Sequence, residues 1–364
     1  MYKNRKRPVT MISVNNTVQP KTGGHYVYKV MKDELLKRKY SLREISVPIM
    51  LKAITGSENP KGLRETYRLQ LHIRCVFRSF FERYLKSSVV ITSSHPAFPV
   101  FGHLVYHQPK AGTGIKTLKG HIPPYWRIGW TIVENEWMSP IWLVAKKSHI
   151  LHLCNSYFTK QLVKKLYGIE SKVIYPPVQV KPFLKADLKK KRKYGVIIAK
   201  PEVPSGITLL PQMLQNVPKN IEIIVIGKAD QTGLKVIQTL TKKGFDIKYL
   251  GYVSEEDKIR LLQSISHYLH LGLNETFGII VVEAMAAGCI PIAPKSGAIP
   301  EYLPESLLYS NSAEAAEKIL AMTGMDDLDL KLNLRNIATN FSEERFRAKF
   351  ADYFETLVNT LNGL

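Results

Sequence analysis

The stretch NETFGIIVVEAMAAGCIPIAP, residues 274–294, divides into a polar loop, an apolar segment running to Gly288 and a short apolar run ending at Pro294. Loop, helix and strand in that order predict one repeat of a parallel sheet whose crossovers are helices. One residue does not fit the apolar setting. Glu283 lies among Ile, Val, Ala and Met, and an unpaired buried carboxylate costs on the order of several kcal/mol. The position therefore demands a partner. The loop ahead of the helix carries Asn274 and Glu275, and the amides of Phe277, Gly278 and Ile279 are expected to open the helix and offer free N–H groups to an anion such as phosphate. Glu283, under two turns further on, comes within reach of whatever extends from that phosphate. A ribose diol, with two O–H donors for one carboxylate, is the partner this reading expects.

Outward from this stretch, the second half of the chain repeats the pattern. Strand-like runs occur at 194–200, 221–227, 246–253, 267–273 and 289–294, separated by helix-period segments at 206–216, 231–244, 255–265 and 277–288. Alternation of this kind predicts a parallel sheet covered on both faces. In the first half, VTMISV (9–14) is followed by KTGGHYVYKVMKDELLKRK (21–39), a glycine turn opening a helix. Further strand candidates are SLREISV, SSVVITSS, HLVYH, HILHLCN and KVIYPP. The expected fold class is α/β, with two Rossmann-like domains whose strand ends face a common cleft. The expected division is 1–180, a basic linker at 181–195, and 196–364, with the C-terminal helix free to return to the first domain.

Length and charge support that division. A chain of 364 residues exceeds what one core usually serves. Residues 1–180 carry 29 Lys and Arg against 9 Asp and Glu, residues 196–364 carry 16 against 20, and KPFLKADLKKKRKYG (181–195) carries 7 against 1. A strongly basic half attracts polyanions or an anionic membrane surface. No apolar run approaches the roughly 18 residues of a membrane-spanning helix, and the basic start is followed by only a strand-length apolar segment, so no secretory signal is expected. Three cysteines without metal-like spacing, Cys75, Cys154 and Cys289, point to reduced thiols and a cytosolic setting. Nucleic-acid binding is the competing reading of the charge, but no helix-turn-helix, zinc knuckle or RNP pattern accompanies it.

ETFGIIVVE, a Glu-x7-Glu, followed by AMAAGCIPIA, resembles the signature of the family 4 retaining glycosyltransferases of GT-B architecture, which use nucleotide-sugar donors. The resemblance implies that Glu283 holds the ribose hydroxyls and Glu275 contacts the donor sugar, with Thr276, Phe277, Gly278 and Ile279 against sugar and phosphate. YLGYVSEEDK (249–258) is similar to the family's base-framing loop, centred on Gly251, Tyr252 and Val253. NSYFTKQLVKKLYGIESKVIYPPVQV (155–180) resembles the family's Asn-Ser-x-x-Thr helix and the Tyr-Pro-Pro-Val that ends the first domain. Together with SSHPAFPVFGHLVYHQP (93–109), it narrows the likeness to mannosyltransferases that build lipid-linked oligosaccharides.

In the first domain, His107 ends a strand, with His103 two positions back on the same face. An imidazole there can donate to a sugar hydroxyl or polarise a departing phosphate, and the resemblance places the matching histidine at the donor sugar. Gly23 and Gly24 let backbone approach a diphosphate closely, and the family has a matching glycine loop. One departure stands out. The family sets an Arg and a Lys on the diphosphate after the first strand of its second domain, but here the segment reads AKPEVPSG. Lys200 stands for the arginine, whereas the lysine position falls on Val203 or Ser205. Lys228, after IVIG (224–227), is the further cation expected to help there.

The acceptor side is expected from two stretches: GLRETYRLQLHIRCVFRSFFERYLK (62–86), basic and aromatic on opposite faces, and YWRIGWTIVENEWMSPIWLVAKK (125–147), which holds all four tryptophans. Both suit a lipid–water boundary, and both also suit core packing. No Ser-His-Asp set, carboxylate pair or metal triad is visible. The expectation is a retaining, metal-independent hexosyltransferase, cytosolic and peripheral on the membrane. It would move a hexose, mannose by the narrower likeness, from a GDP- or UDP-linked donor to a lipid-linked or other glycan, with no cofactor besides that substrate. The alternatives are a nucleic-acid-binding protein and a non-transferase GT-B relative, either an epimerase or an inactive binding subunit.

Overall fold

The computed structural model describes residues 8–13, 23–46, 82, 88–94, 102–108, 150–190, 193–321 and 327–363. The basic aromatic helix expected in 62–86, apart from Glu82, and the tryptophan-rich stretch at 125–147 lie outside these. The chain divides into two compact units, one formed by Met1–Lys110, Ile115–Pro177 and Glu344–Leu364, the other mainly by Val178–Glu343.

Among the described residues, the first unit is built on six parallel strands: β1 (Val9–Ser13), β2 (Leu42–Ser46), β3 (Val89–Ser94), β4 (Leu104–His107), β5 (Leu151–Cys154) and β6 (Lys172–Val173), in the order β2-β1-β3-β4-β5-β6. A switch of direction on either side of β1 is the hallmark of doubly wound sheets. Helix α1 (Gly23–Lys37) is the next described element after β1, and the Gly23–Gly24 pair opens it. Helix α2 (Tyr157–Tyr167) follows β5.

The NSYFT motif is explained locally. Ser156 Oγ accepts from the Thr159 N–H at 3.0 Å, and the Thr159 hydroxyl donates to Asn155 Oδ1 at 2.6 Å, so the triplet caps α2 and satisfies its own polar atoms. Ser156→Ala removes a fully buried cap and should destabilise the first unit by about 1 kcal/mol, read as a lower denaturant midpoint with an unchanged slope.

The last helix of the chain, Glu343–Asn362, belongs to this core. Phe346, Phe350, Phe354, Leu357, Val358 and Leu361 recur at helical spacing and pack in one cluster with Val9, Met11, Val27, Met31 and Tyr106. The Tyr106 ring meets Phe346 edge-on at 6.2 Å, and Arg347 Nη1 donates to the Val30 carbonyl at 3.1 Å. The two segments that lead the chain between units run side by side, the Val178 N–H donating to the Phe341 carbonyl at 2.8 Å.

The second unit also has six parallel strands: β7 (Lys193–Ala199), β8 (Glu222–Ile226), β9 (Ile247–Gly251), β10 (Ile265–Leu269), β11 (Ile290–Pro294) and β12 (Leu308–Tyr309), in the order β12-β11-β10-β7-β8-β9. Every residue of β8, β10 and β11 is buried, as expected of strands covered on both faces; the polar residues among them are partnered, Glu222 by Lys193 and Lys248 and Ser266 by the Gly195 backbone. Helix α3 (Ile279–Ala287) is buried along 281–287 and therefore lacks a polar stripe.

Two sequence expectations are corrected. The helix over 206–216 is instead a short 3-10 turn, Ile207–Leu209, and a four-residue helix, Leu210–Met213, because Gly206 is left-handed at φ 83° and Pro211 has no N–H to continue the ladder. The basic join at 181–195 is not a solvated linker throughout. Phe183 and Leu188 are buried while the described lysines around them face outward, and β7 already begins at Lys193.

Candidate functional site

In a parallel sheet, the residues just past the carboxyl ends of the strands are those freed from the ladder to meet a ligand. In the second unit these are Lys200 after β7, Gly227 after β8, Gly251 after β9 and His270 after β10. Lys200 is exposed and left-handed at φ 55°, its N–H held by the Ile226 carbonyl at 3.0 Å. A non-glycine residue in that conformation bears strain that the surrounding fold must impose. Gly251 is left-handed at φ 63°, and Tyr252 beyond it is 66 % exposed. Val253 is partly buried.

From β10 the chain runs through Glu275 into α3. The helix starts at Ile279 rather than Phe277, because Gly278 is left-handed at φ 85° and turns the chain there. The Phe277 ring is not presented to a ligand: it packs against Tyr302 at 5.6 Å and Phe341 at 5.2 Å, and the Tyr302 hydroxyl donates to the Phe277 carbonyl. Thr276 is buried beside it. Gly297 supports Glu275 from below. The Ala298 N–H donates to the Glu275 carbonyl at 2.8 Å, and a Cβ on left-handed Gly297 would collide with the Glu275 backbone.

Glu283 is buried, its side chain 7 % exposed, so the helix does not turn it to solvent. Its partner lies within the chain. Lys258, in the helix Glu255–Ser264 (α4), places Nζ 2.9 Å from Oε1 and 2.9 Å from Oε2. It also reaches Glu255 Oε1 at 2.8 Å and lies 5.7 Å from the centroid of the Phe183 ring, a cation–π distance. The partner expected from the sequence is a ribose diol, and the chain supplies an ammonium of its own as well. A carboxylate has about four lone-pair sites, so one ammonium leaves room for hydroxyl donors. Burial raises the Glu283 carboxyl above its ordinary range, Lys258 pulling it part of the way back. For Lys258, burial acts downward, but Glu283 and Glu255 outweigh it and hold the ammonium above the usual lysine range.

His270 joins the same cluster. Its Nε2 lies 3.8 Å from Glu275 Oε2. Burial lowers its pKa to about 4, Glu275 opposing and Lys200 adding to the effect, and Lys200 also acts on Glu283. The second unit therefore gathers Lys200, Lys258, His270, Glu275 and Glu283 around the loop that enters α3. Lys228 is exposed, and Val203, one of the two positions (with Ser205) that the lysine of the resembling family would take, is 46 % exposed with its N–H held by Asp230 Oδ2 at 2.8 Å.

His107 ends β4 in the first unit, where α1 with Gly23 and Gly24 follows β1. It is buried, with Nε2 2.9 Å from His152 Nδ1 and the two rings stacked at 5.2 Å. Burial, reinforced by His152, lowers His107 to about 3, and burial lowers His152 to about 4, so both rings are neutral at pH 7. His103, the reserve candidate, accepts the Val90 N–H on Nδ1 at 3.0 Å, a bond that ties it to the sheet.

Sequence reasoning missed Lys258, His270, His152 and Gly297. His270 had a signal, a histidine at the end of an apolar strand, the same argument that selected His107. Lys258 had none, since a lysine among Glu255, Glu256 and Asp257 reads as a solvated turn of helix.

Comparison with known proteins agrees with this geometry. Residues 183–325 match the family described as Glycosyl transferases group 1. A curated relative from Dictyostelium discoideum, GDP-Man:Man(3)GlcNAc(2)-PP-Dol alpha-1,2-mannosyltransferase, is 26% identical over 227 residues, 55% of this chain and 45% of that protein. Its Homo sapiens counterpart is 27% identical over 253 residues, 59% and 50% respectively. The chain spans about half the length of the curated relatives it matches. Among solved structures, sucrose-phosphate synthase from Thermosynechococcus elongatus superimposes with a TM-score of 0.71 at 14% identity, covering 97% of this chain and 100% of that one. The chain has the GT-B fold, and its residues 183–325 are similar to the group 1 glycosyl transferases.

Proposed function

We propose that the chain is a retaining mannosyltransferase that takes the sugar from a GDP-linked donor and passes it to a lipid-linked glycan at the cytosolic face of a membrane. The observation that carries this reading is the cluster at the entry to α3. A buried carboxylate, Glu283, keeps lone pairs for a ribose diol. A less buried one, Glu275, stands one loop away for a sugar. Lys200 and the N-terminus of α3 supply positive potential for the diphosphate between them. The named activity of the relatives supports the choice of mannose and of a lipid-linked acceptor. The excess of Lys and Arg in 1–180 supports an anionic membrane surface, and among the described residues no helix is long and apolar enough to cross a membrane.

In this reading the bond from the sugar's anomeric carbon to the phosphate oxygen breaks, the acceptor hydroxyl oxygen forms the new bond on the same face, and its proton leaves with the diphosphate. Positioning and stabilisation of the leaving group supply the rate. Lys200 carries that stabilisation in the second unit. No resident cofactor or metal enters the step.

A thermal-shift panel of GDP, UDP and ADP, alone and with their sugars, tests the donor assignment. GDP-mannose should raise the melting temperature most, since stabilisation grows with ligand concentration over Kd, and a panel with no selective shift would overturn the proposal. Selective binding without transfer to a lipid-linked glycan would reassign the chain as a binding subunit.

A further inference from the structure

His270 is fixed on every side but one. Its N–H donates to the Ile292 carbonyl at 2.9 Å, and its own carbonyl accepts from the Tyr309 hydroxyl at 2.7 Å. Nδ1 meets the Tyr268 hydroxyl at 3.1 Å. Gly272 lies against the ring, and a Cβ there would stand 3.2 Å from Nε2. Nε2 itself is buried and has no hydrogen-bond partner among the described residues. Glu275 Oε2, at 3.8 Å, is beyond bonding distance.

Buried polar nitrogens are nearly always bonded, so an orphaned one asks for a missing partner. The Glu275 carboxylate favours the tautomer with the proton on Nε2, and the Tyr268 phenol, kept protonated by burial, donates to Nδ1. An N–H donor and a carboxylate acceptor then stand side by side. A hydroxyl satisfies both at once, since it accepts from one group and donates to the other, and an oxygen ~2.8 Å from each fits a separation of this size.

We propose that His270 is a specificity-determining residue of the sugar site, its Nε2–H donating to the same sugar hydroxyl that donates to Glu275. This rests on the nucleotide-sugar reading above. It makes the cluster a two-sided reader of one hydroxyl, a device that discriminates against a donor lacking that group far better than an apolar wall does.

Titration calorimetry of the full chain with GDP and GDP-mannose tests it, with UDP-glucose run in parallel. His270→Asn keeps an amide near the Nδ1 position and loses the far donor, whereas His270→Gln carries a donor to where Nε2 stands. His270→Asn should bind GDP-mannose about tenfold more weakly with GDP affinity unchanged, as expected for one lost hydrogen bond, and His270→Gln should recover most of the loss. If His270→Asn keeps the parent's preference for the sugar nucleotide, or loses GDP and GDP-mannose affinity equally, the role of His270 is overturned while the donor site stands. A parent chain that binds neither GDP-mannose nor UDP-glucose overturns the donor site and this role together. Imidazole 15N spectra of the unsubstituted chain give an answer independent of folding in the variants. An Nε2-protonated ring whose Nε2 signal moves with GDP-mannose but not with GDP is expected. An Nδ1-protonated ring, or a signal unmoved by the sugar, overturns the role.

Discussion

Lys258→Met should destabilise the second unit by about 3 kcal/mol at pH 7, because it leaves the Glu283 carboxylate buried without its ammonium. Removing one partner of a buried pair costs on the order of 3–5 kcal/mol, and the lower end applies here since the Lys258 side chain is 19 % exposed. The effect has a pH signature. Burial already raises the Glu283 carboxyl in the folded chain, and loss of Lys258 raises it further. A raised folded-state pKa means that the folded chain holds the proton more tightly than the unfolded one. Stability is then greatest below the unfolded value of about 4.3 and is lost as the pH rises through the folded one. The deficit of the variant should therefore be complete at neutral pH and shrink as the solution is acidified towards pH 4. The double variant Lys258→Met/Glu283→Leu should regain most of the loss, because a buried ion pair is replaceable by apolar side chains of similar volume. Urea unfolding of the three chains across that pH range reads all of this. A deficit independent of pH would show that Lys258 acts through packing on Phe183 instead.

Glu283→Ala should have the opposite profile, with the fold kept and binding lost. Lys258 retains Glu255 at 2.8 Å and its partial access to water, so the ammonium is not stranded. The donor loses the acceptor for its ribose diol. Hydrogen bonds to a charged group are worth about 2 kcal/mol, so affinity for GDP-mannose and for GDP should both fall about 30-fold. The parallel loss on GDP separates this residue from His270, whose effect is confined to the sugar. Equal affinities in parent and variant would remove Glu283 from the ribose.

The second unit was the more legible half because its strands are buried on both faces. The runs at β8, β10 and β11 are buried throughout and mostly apolar, and the helices 231–242 and 255–264 carry a polar face while α3 is apolar but for Glu283, so these elements stood out from the loops between them. The segment after β7 did not, since Gly206 and Pro211 replace one regular helix by short turns whose geometry is set by contacts. A Cβ on Gly206 would run into the Leu271 carbonyl, 65 positions along the chain. The Lys-rich join misled for a related reason: net charge dominated its composition, while two spaced apolar residues, Phe183 and Leu188, decided its burial.

The amino-acid sequence by itself determined the order of strands and helices, the parallel character of both sheets, and the need for a partner at Glu283. These follow from local periodicity and from the cost of an unpaired buried charge, neither of which depends on distant residues. Tertiary structure alone decided that the partner is Lys258, that the Nε2 of His270 faces Glu275, and that Phe350 and Phe354 complete the core of the first unit. Each of these joins side chains from separate elements, and their meeting depends on how helices and strands pack, a relation that residue types and spacing do not encode one segment at a time.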